Sequence, residues 1–153
     1  LDMKWITTAV AVILAGSGAA AEPAERDMTE VTANCVSEWP DDYSMQKYCL
    51  DRNQEGYETA SAYWSTSGEG TLNIIGPSFR FCEGKWGQQW EMVAYCMQSE
   101  VDGAKEASTL LKQTPEAVGI EIYAKCKMKW DDQFSMIGYC IDRQVSAWLA
   151  MNE

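Results

Sequence analysis

The 153-residue chain contains no histidine. That absence removes Ser-His and Cys-His nucleophilic catalysis, histidine-ligated metals and the c-type haem attachment motif together. Basic residues are also scarce, 12 Lys and Arg against 23 Asp and Glu, for a formal net charge of −11 and a pI near 4.4. A surface of that sign disfavours nucleic acid and anionic lipid, and favours solubility or a cationic partner. A long apolar run is missing too: Ile6 to Leu14 falls well short of the roughly 20 residues that a membrane span requires.

That short run fits an export signal. Lys4 supplies a positive start, Ile6 to Leu14 the apolar centre and Ala19-Ala20-Ala21 the small-residue cleavage site, so residues 1–21 are expected to be removed before Glu22. Ser17 stands where a lipid-modified cysteine would be needed, so no lipid anchor is expected. The expected location is periplasmic or secreted, with no membrane span after cleavage. The remaining 132 residues, 22–153, suffice for one compact domain with a core.

All six cysteines lie in a threefold repeat, C-x3-W-x3-aromatic-x-M-x2-Y-C. The copies run from Cys35 through Trp39, Tyr43, Met45 and Tyr48 to Cys49; from Cys82 through Trp86, Trp90, Met92 and Tyr95 to Cys96; and from Cys126 through Trp130, Phe134, Met136 and Tyr139 to Cys140. In an oxidising compartment these cysteines read as disulfides. Duplication gives each unit its own bridge, Cys35–Cys49, Cys82–Cys96 and Cys126–Cys140, each closing 15 residues for about 3 kcal/mol on a chain-entropy account. A metal site is disfavoured, since zinc ligands normally fall two to four residues apart. No cofactor is expected.

The expected fold is mainly α: three disulfide-stapled units, about 24–64, 71–113 and 114–153, each a short extended or helical arm followed by a helix. The second elements are the clearer helices, from Asp41 to Trp64, Gln88 to Gln113 and Asp131 onward. Asp41-Asp42 and Asp131-Asp132 read as helix-start chemistry, and Thr114-Pro115 as an N-cap with proline in the first turn. The arms are harder. Val118, Ile122, Cys126 and Trp130 recur at helical spacing, yet Ile120, Ile122, Ala124, Cys126, Met128 and Trp130 also alternate as in a strand. Axial rise to the bridge favours an extended arm, most of all in the second unit, where Gly76-Pro77 reads as a break after the Ser/Gly-rich linker 65–70.

The motif tryptophan, methionine and tyrosine are expected to pack around each bridge, the alternative being an aromatic ligand surface. Binding residues are sought where the copies differ: Tyr63 and Trp64 beside the linker, the alternating Lys125, Lys127 and Lys129 as an anionic-ligand patch, and Trp148 in the terminal helix. No residue is assigned a catalytic role.

The third copy, with Cys126, Trp130, Asp132, Phe134, Met136, Tyr139, Cys140 and downstream Gln144, resembles small exported bacterial proteins of no assigned activity that carry this disulfide motif. The first copy, with Gln54, matches more loosely, and the middle copy lacks both acids and the glutamine. The resemblance implies export and a helical disulfide-paired unit, and transfers no catalytic residue. The functional expectation is a non-enzymatic exported binding or scaffold protein for a protein or envelope component, in its concrete form an acidic inhibitor of a cationic secreted enzyme such as a lysozyme. The alternative is a carboxylate-dependent cell-wall or carbohydrate hydrolase.

Overall fold

A computed structural model of the chain describes residues 24–65 and 72–152. The expected export signal and residues 66–70 of the linker lie outside them. Six α-helices, and no strand among the described residues, make up the fold: α1 (Met28–Glu38), α2 (Tyr43–Ser65), α3 (Leu72–Trp86), α4 (Trp90–Leu111), α5 (Glu116–Trp130) and α6 (Phe134–Met151). They form three hairpins. Each is closed by the bridge that duplication predicts, with a Cα–Cα distance of 5.7 Å in all three.

Every arm is helical, which corrects the preference for extended backbone. The offset in rise is made up at the connection: in the first unit Cys35 lies three residues from its helix end and Cys49 six from its helix start. The difference, about 5 Å, is what one or two non-helical residues of the turn supply. Pro77 does not break α3 but lies inside it. It forgoes the bond to the carbonyl of Asn73, and Phe79 and Cys82 on the following turn are buried in the core. In α5 the helical period wins over the alternation: Ile122 and Cys126 are buried, while Ile120 and Met128 face solvent.

The turns show how one residue resets a helix end. In the second and third units the arm runs to the motif tryptophan, and the next residue, Gly87 (φ 54°) or Asp131 (φ 49°), is left-handed. The first unit has Pro40 at that place, whose ring holds φ near −65° and pushes its predecessor out of the helical region. Accordingly α1 stops a residue earlier at Glu38, Trp39 takes φ −127° and ψ 64°, and the left-handed conformation passes to Asp41 (φ 63°).

The acids after the turn divide in role. Asp42 caps α2: its Oδ1 accepts from the Met45 amide at 3.0 Å and from Ser44 Oγ at 2.7 Å. The Ser44 bond, and then the Met45 bond, hold its carboxyl below the usual range. Asp132 does not cap α6; it accepts from Lys127 Nζ at 2.7 Å. Thr114 does not cap α5 either, because its hydroxyl donates back to the Leu111 carbonyl at the end of α4.

Helix α4 packs against α2, α3 and α6 and so joins the units. Its first half, Trp90, Val93, Ala94 and Met97, fills a core with Val31, Ala60, Ile75 and Phe79. Its second half, from Ala104 to Leu111, lies against Ile122, Phe134, Ile137, Ile141 and Val145. The same contact joins each unit to the next. A Cβ on Gly56 would lie 2.4 Å from the Glu91 nitrogen, and one on Gly103 would lie 2.5 Å from the Ser135 Cα. These glycines stand seven residues after Cys49 and Cys96, and each admits the first turn of the following unit's second helix. The third unit has Ala147 there, exposed.

Candidate functional site

The described hollow with the richest chemistry, about 420 Å³, lies over the first bridge between α1, α2 and the start of α4. Its floor is Cys35–Cys49, with Val31 beneath. One wall carries Trp39 and Tyr48, the other Gln88, Gln89, Glu91 and Met92. Glu38 and Asn34 stand at the rim on α1.

Sequence order places these groups. Pro40 unwinds the helix at Trp39, leaving the indole 36% exposed at the mouth rather than wound onto α1. Tyr48, one residue before the bridged Cys49, projects from the opposite helix and is 58% exposed. The far wall is fixed by polar contacts between units. Gln88 Oε1 accepts from the Asp27 amide and from Trp90 Nε1, both at 2.8 Å, and its carbonyl accepts from Asn53 Nδ2 at 2.7 Å. Arg26 donates to Asn53 Oδ1 at 2.7 Å and to Gln54 Oε1, tying the segment before α1 to α2. Edge-to-face packing of Tyr57 on Trp90, 4.8 Å between centroids, completes the join. The wall is therefore tied by its own polar and aromatic contacts to the segment before α1 and to α2.

Arg52 is the cation of this hollow. Its guanidinium donates to Glu91 at 2.7 Å and to Glu55 at 2.9 Å, and is raised above its ordinary value by the Glu91 hydrogen bond and by the charges of Glu91 and Glu55. Glu38 has no ion-pair partner among the described residues. The equivalent of Asn53 in the second unit is Glu100, 2% exposed, which accepts from Ser135 Oγ at 2.6 Å and from its amide at 3.3 Å. It joins α4 to α6 as Asn53 joins α2 to the turn before α4.

The residues sought from the sequence are not brought together. Tyr63 and Trp64 pack against the first core, where burial, and then the charge of Asp102, raises the Tyr63 hydroxyl, and Trp64 meets Phe79 edge to face at 6.2 Å. The lysines would form one stripe on a strand, but on a helix Lys127 lies about 200° round from Lys125 and Lys129. Lys127 is committed to Asp131 and Asp132. Burial alone would lower its ammonium, but those bonds and charges hold it raised. Lys129 sits 5.1 Å over the Trp130 ring, Lys125 is exposed, and Trp148 is half-buried on α6.

The motif tyrosines were expected in the packing, and this is corrected: Tyr48, Tyr95 and Tyr139 all face solvent. A tyrosine just before a helical cysteine points about 100° away from the bridge, which directs it outward. The hollow at Trp39 and Tyr48 was thus missed, although one signal was available. Glu38 precedes its tryptophan where Lys85 and Lys129 precede theirs. Two further hollows, about 520 Å³ at the α4–α5 turn and about 300 Å³ among α3, α4, α5 and α6, each have Tyr123 as their one exposed aromatic, where the first hollow has two. Among the described residues no helix is long and apolar enough to cross a membrane, and no cluster of three acids or cysteines could hold a metal. No family model, curated protein or solved structure matches the chain.

Proposed function

We propose that this chain is a non-enzymatic exported binding protein whose first unit receives a cationic secreted protein, inhibition of a cationic hydrolase being its most concrete form. The observation that carries the reading is where the negative charge lies. Residues 24–65 hold nine acidic and three basic residues, against five and four in 71–113 and six and four in 114–153. More than half of the net −11 belongs to one unit, and that unit carries the aromatic hollow. A concentrated field speeds encounter with an oppositely charged partner and gives the complex its salt dependence.

The hydrolase alternative requires two carboxylates facing one cleft. In the hollow Glu91 is neutralised by Arg52, and the buried Glu100 is enclosed by Ser135 between two helices. That leaves Glu38 alone, so the binding reading has the better support. Immobilised chain should retain a lysozyme, chosen as a cationic secreted probe, at low ionic strength and release it at high ionic strength. A panel of cationic secreted enzymes that all pass unretained at low salt would refute the proposal.

A further inference from the structure

The third residue after each unit's first cysteine immediately precedes the motif tryptophan. In the second unit it is Lys85, whose ammonium lies 5.2 Å from the Trp86 ring centroid. In the third it is Lys129, 5.1 Å from that of Trp130. The fold therefore places a cation on this indole twice, from the same position. In the first unit the position holds Glu38.

The tyrosine follows a similar pattern. Arg143, three residues after Cys140, stacks over Tyr139 at 6.0 Å. Its counterpart Arg52, three after Cys49, turns instead to Glu91 and Glu55. Among the described residues no lysine or arginine lies over the Trp39 or Tyr48 ring, although the Arg52 charge acts on the Tyr48 hydroxyl, and both rings line the open hollow beside a carboxylate with no ion-pair partner. An aromatic face attracts a cation through its quadrupole, most strongly with tryptophan, and a neighbouring carboxylate adds to the attraction. Replacing the internal lysine by glutamate leaves a cation site that the chain itself does not fill.

We propose that Trp39, Tyr48 and Glu38 form an anchor for a lysine or arginine side chain presented by a cationic partner protein. This rests on the binding role of the first unit and names the group inserted there. Arg52 does not repel the incoming charge as a free cation would, because two carboxylates already compensate it.

The test uses the full oxidised chain with 15N-labelled indoles, the Trp39 resonance being assigned through Trp39→Phe. One probe is a short peptide carrying trimethyl-lysine; the other is its uncharged tert-butyl isostere of the same shape. The cationic peptide should shift the Trp39 resonance and bind at least about fivefold more tightly than the neutral one. Glu38→Lys, at an exposed helix C-terminus where a cation is tolerated, reproduces the pattern of the other units and should abolish the shift. Equal binding of the two peptides, or undiminished binding to Glu38→Lys, overturns the anchor. If both peptides bind alike yet a lysozyme is retained, the anchor fails and the proposed function stands. If the cationic peptide binds selectively but no cationic enzyme is retained, the function fails and the anchor stands.

Discussion

Gly103→Ala sets two physical effects against each other. Gly103 is inside α4 and has no positive φ, so helix propensity alone predicts a gain of about 1 kcal/mol. The neighbouring helix predicts the reverse. The new Cβ would lie 2.5 Å from Ser135 Cα, 2.7 Å from the Phe134 oxygen and 2.8 Å from the Ser135 nitrogen. Carbon atoms pack at about 3.5–4.0 Å, so the start of α6 would have to retreat by about 1 Å. The obstacles are backbone atoms in a helix stapled to α5 and cannot rotate aside. Retreat would also stretch the Glu100–Ser135 bonds and the approach of Gly138 to the Gly103 carbonyl. Overpacking costs about 1–3 kcal/mol; taking the upper end against the propensity gain leaves a net loss of about 2 kcal/mol. Urea unfolding of the oxidised chain reads this as a midpoint about 1 M lower, for a slope of about 2 kcal/mol/M. Gly84→Ala is the control, because its Cβ would meet nothing within 4 Å. It should stabilise by about 0.5–1 kcal/mol. A Gly103→Ala chain that unfolds at or above the wild-type midpoint would refute the unit-to-unit contact described above.

Paired replacement Cys126→Ser with Cys140→Ser should cost about 3 kcal/mol by the same unfolding assay, and an unchanged midpoint would show that the staple contributes nothing. Phe134→Ala should cost about 3–5 kcal/mol and Tyr43→Ala less than about 0.5, since the first is buried against the preceding unit and the second lies free in solvent; equal losses would contradict that placement. Glu83, whose carboxyl is raised by burial and only partly relieved by the Ala24 amide, favours the folded state more when protonated, and that contribution is lost as pH rises through its raised value. Glu83→Gln should therefore gain stability over wild type near pH 7 and lose the advantage by about pH 3.5, and a gain independent of pH would assign the effect to something other than charge. Ser78 Oγ is buried without a hydrogen-bond partner among the described residues, so Ser78→Ala should be neutral or stabilising by up to about 1 kcal/mol in thermal melts; a clear loss would show that the hydroxyl has a partner.

The architecture was legible where one spacing served one purpose. The second helices begin within three residues of their expected starts, since apolar period and turn chemistry agree there, and the bridges follow from duplication alone. The arms were not legible because alternation and helical period share Ile122, Cys126 and Trp130. Only burial of one set, with Ile120 and Met128 left outside, separates the two patterns. Pro77 misled for a related reason. Removal of one hydrogen bond weighs less than the packing of Phe79 and Cys82 into the core. The lysine stripe depended on the strand reading and dispersed with it. The aromatic hollow stayed hidden because a repeated aromatic suggests packing, although Glu38 against Lys85 and Lys129 was readable throughout.

A repeated position does not have one environment. The aromatic eight residues after each first cysteine is Trp90 in the second unit and Phe134 in the third, where it closes against the glycine-bearing helix before it and is 0% and 7% exposed. Among the described residues the first unit has no glycine-bearing helix of an earlier unit to close against, and the residue is Tyr43, 80% exposed. Residue type follows the environment, with a hydroxyl where the ring meets water and none on the benzyl ring that does not. The same reasoning separates Glu38 from Lys85 and Lys129. Positions common to all three copies specify the hairpin and its bridge; departures from the common residue mark what a unit faces. In the first unit those departures, Pro40 for the left-handed residue, Glu38 for lysine and Tyr43 for a buried aromatic, all fall within six residues of one another. They expose the indole, remove its internal cation and leave the adjoining helix start open, which places the distinctive surface of the protein on its first hairpin.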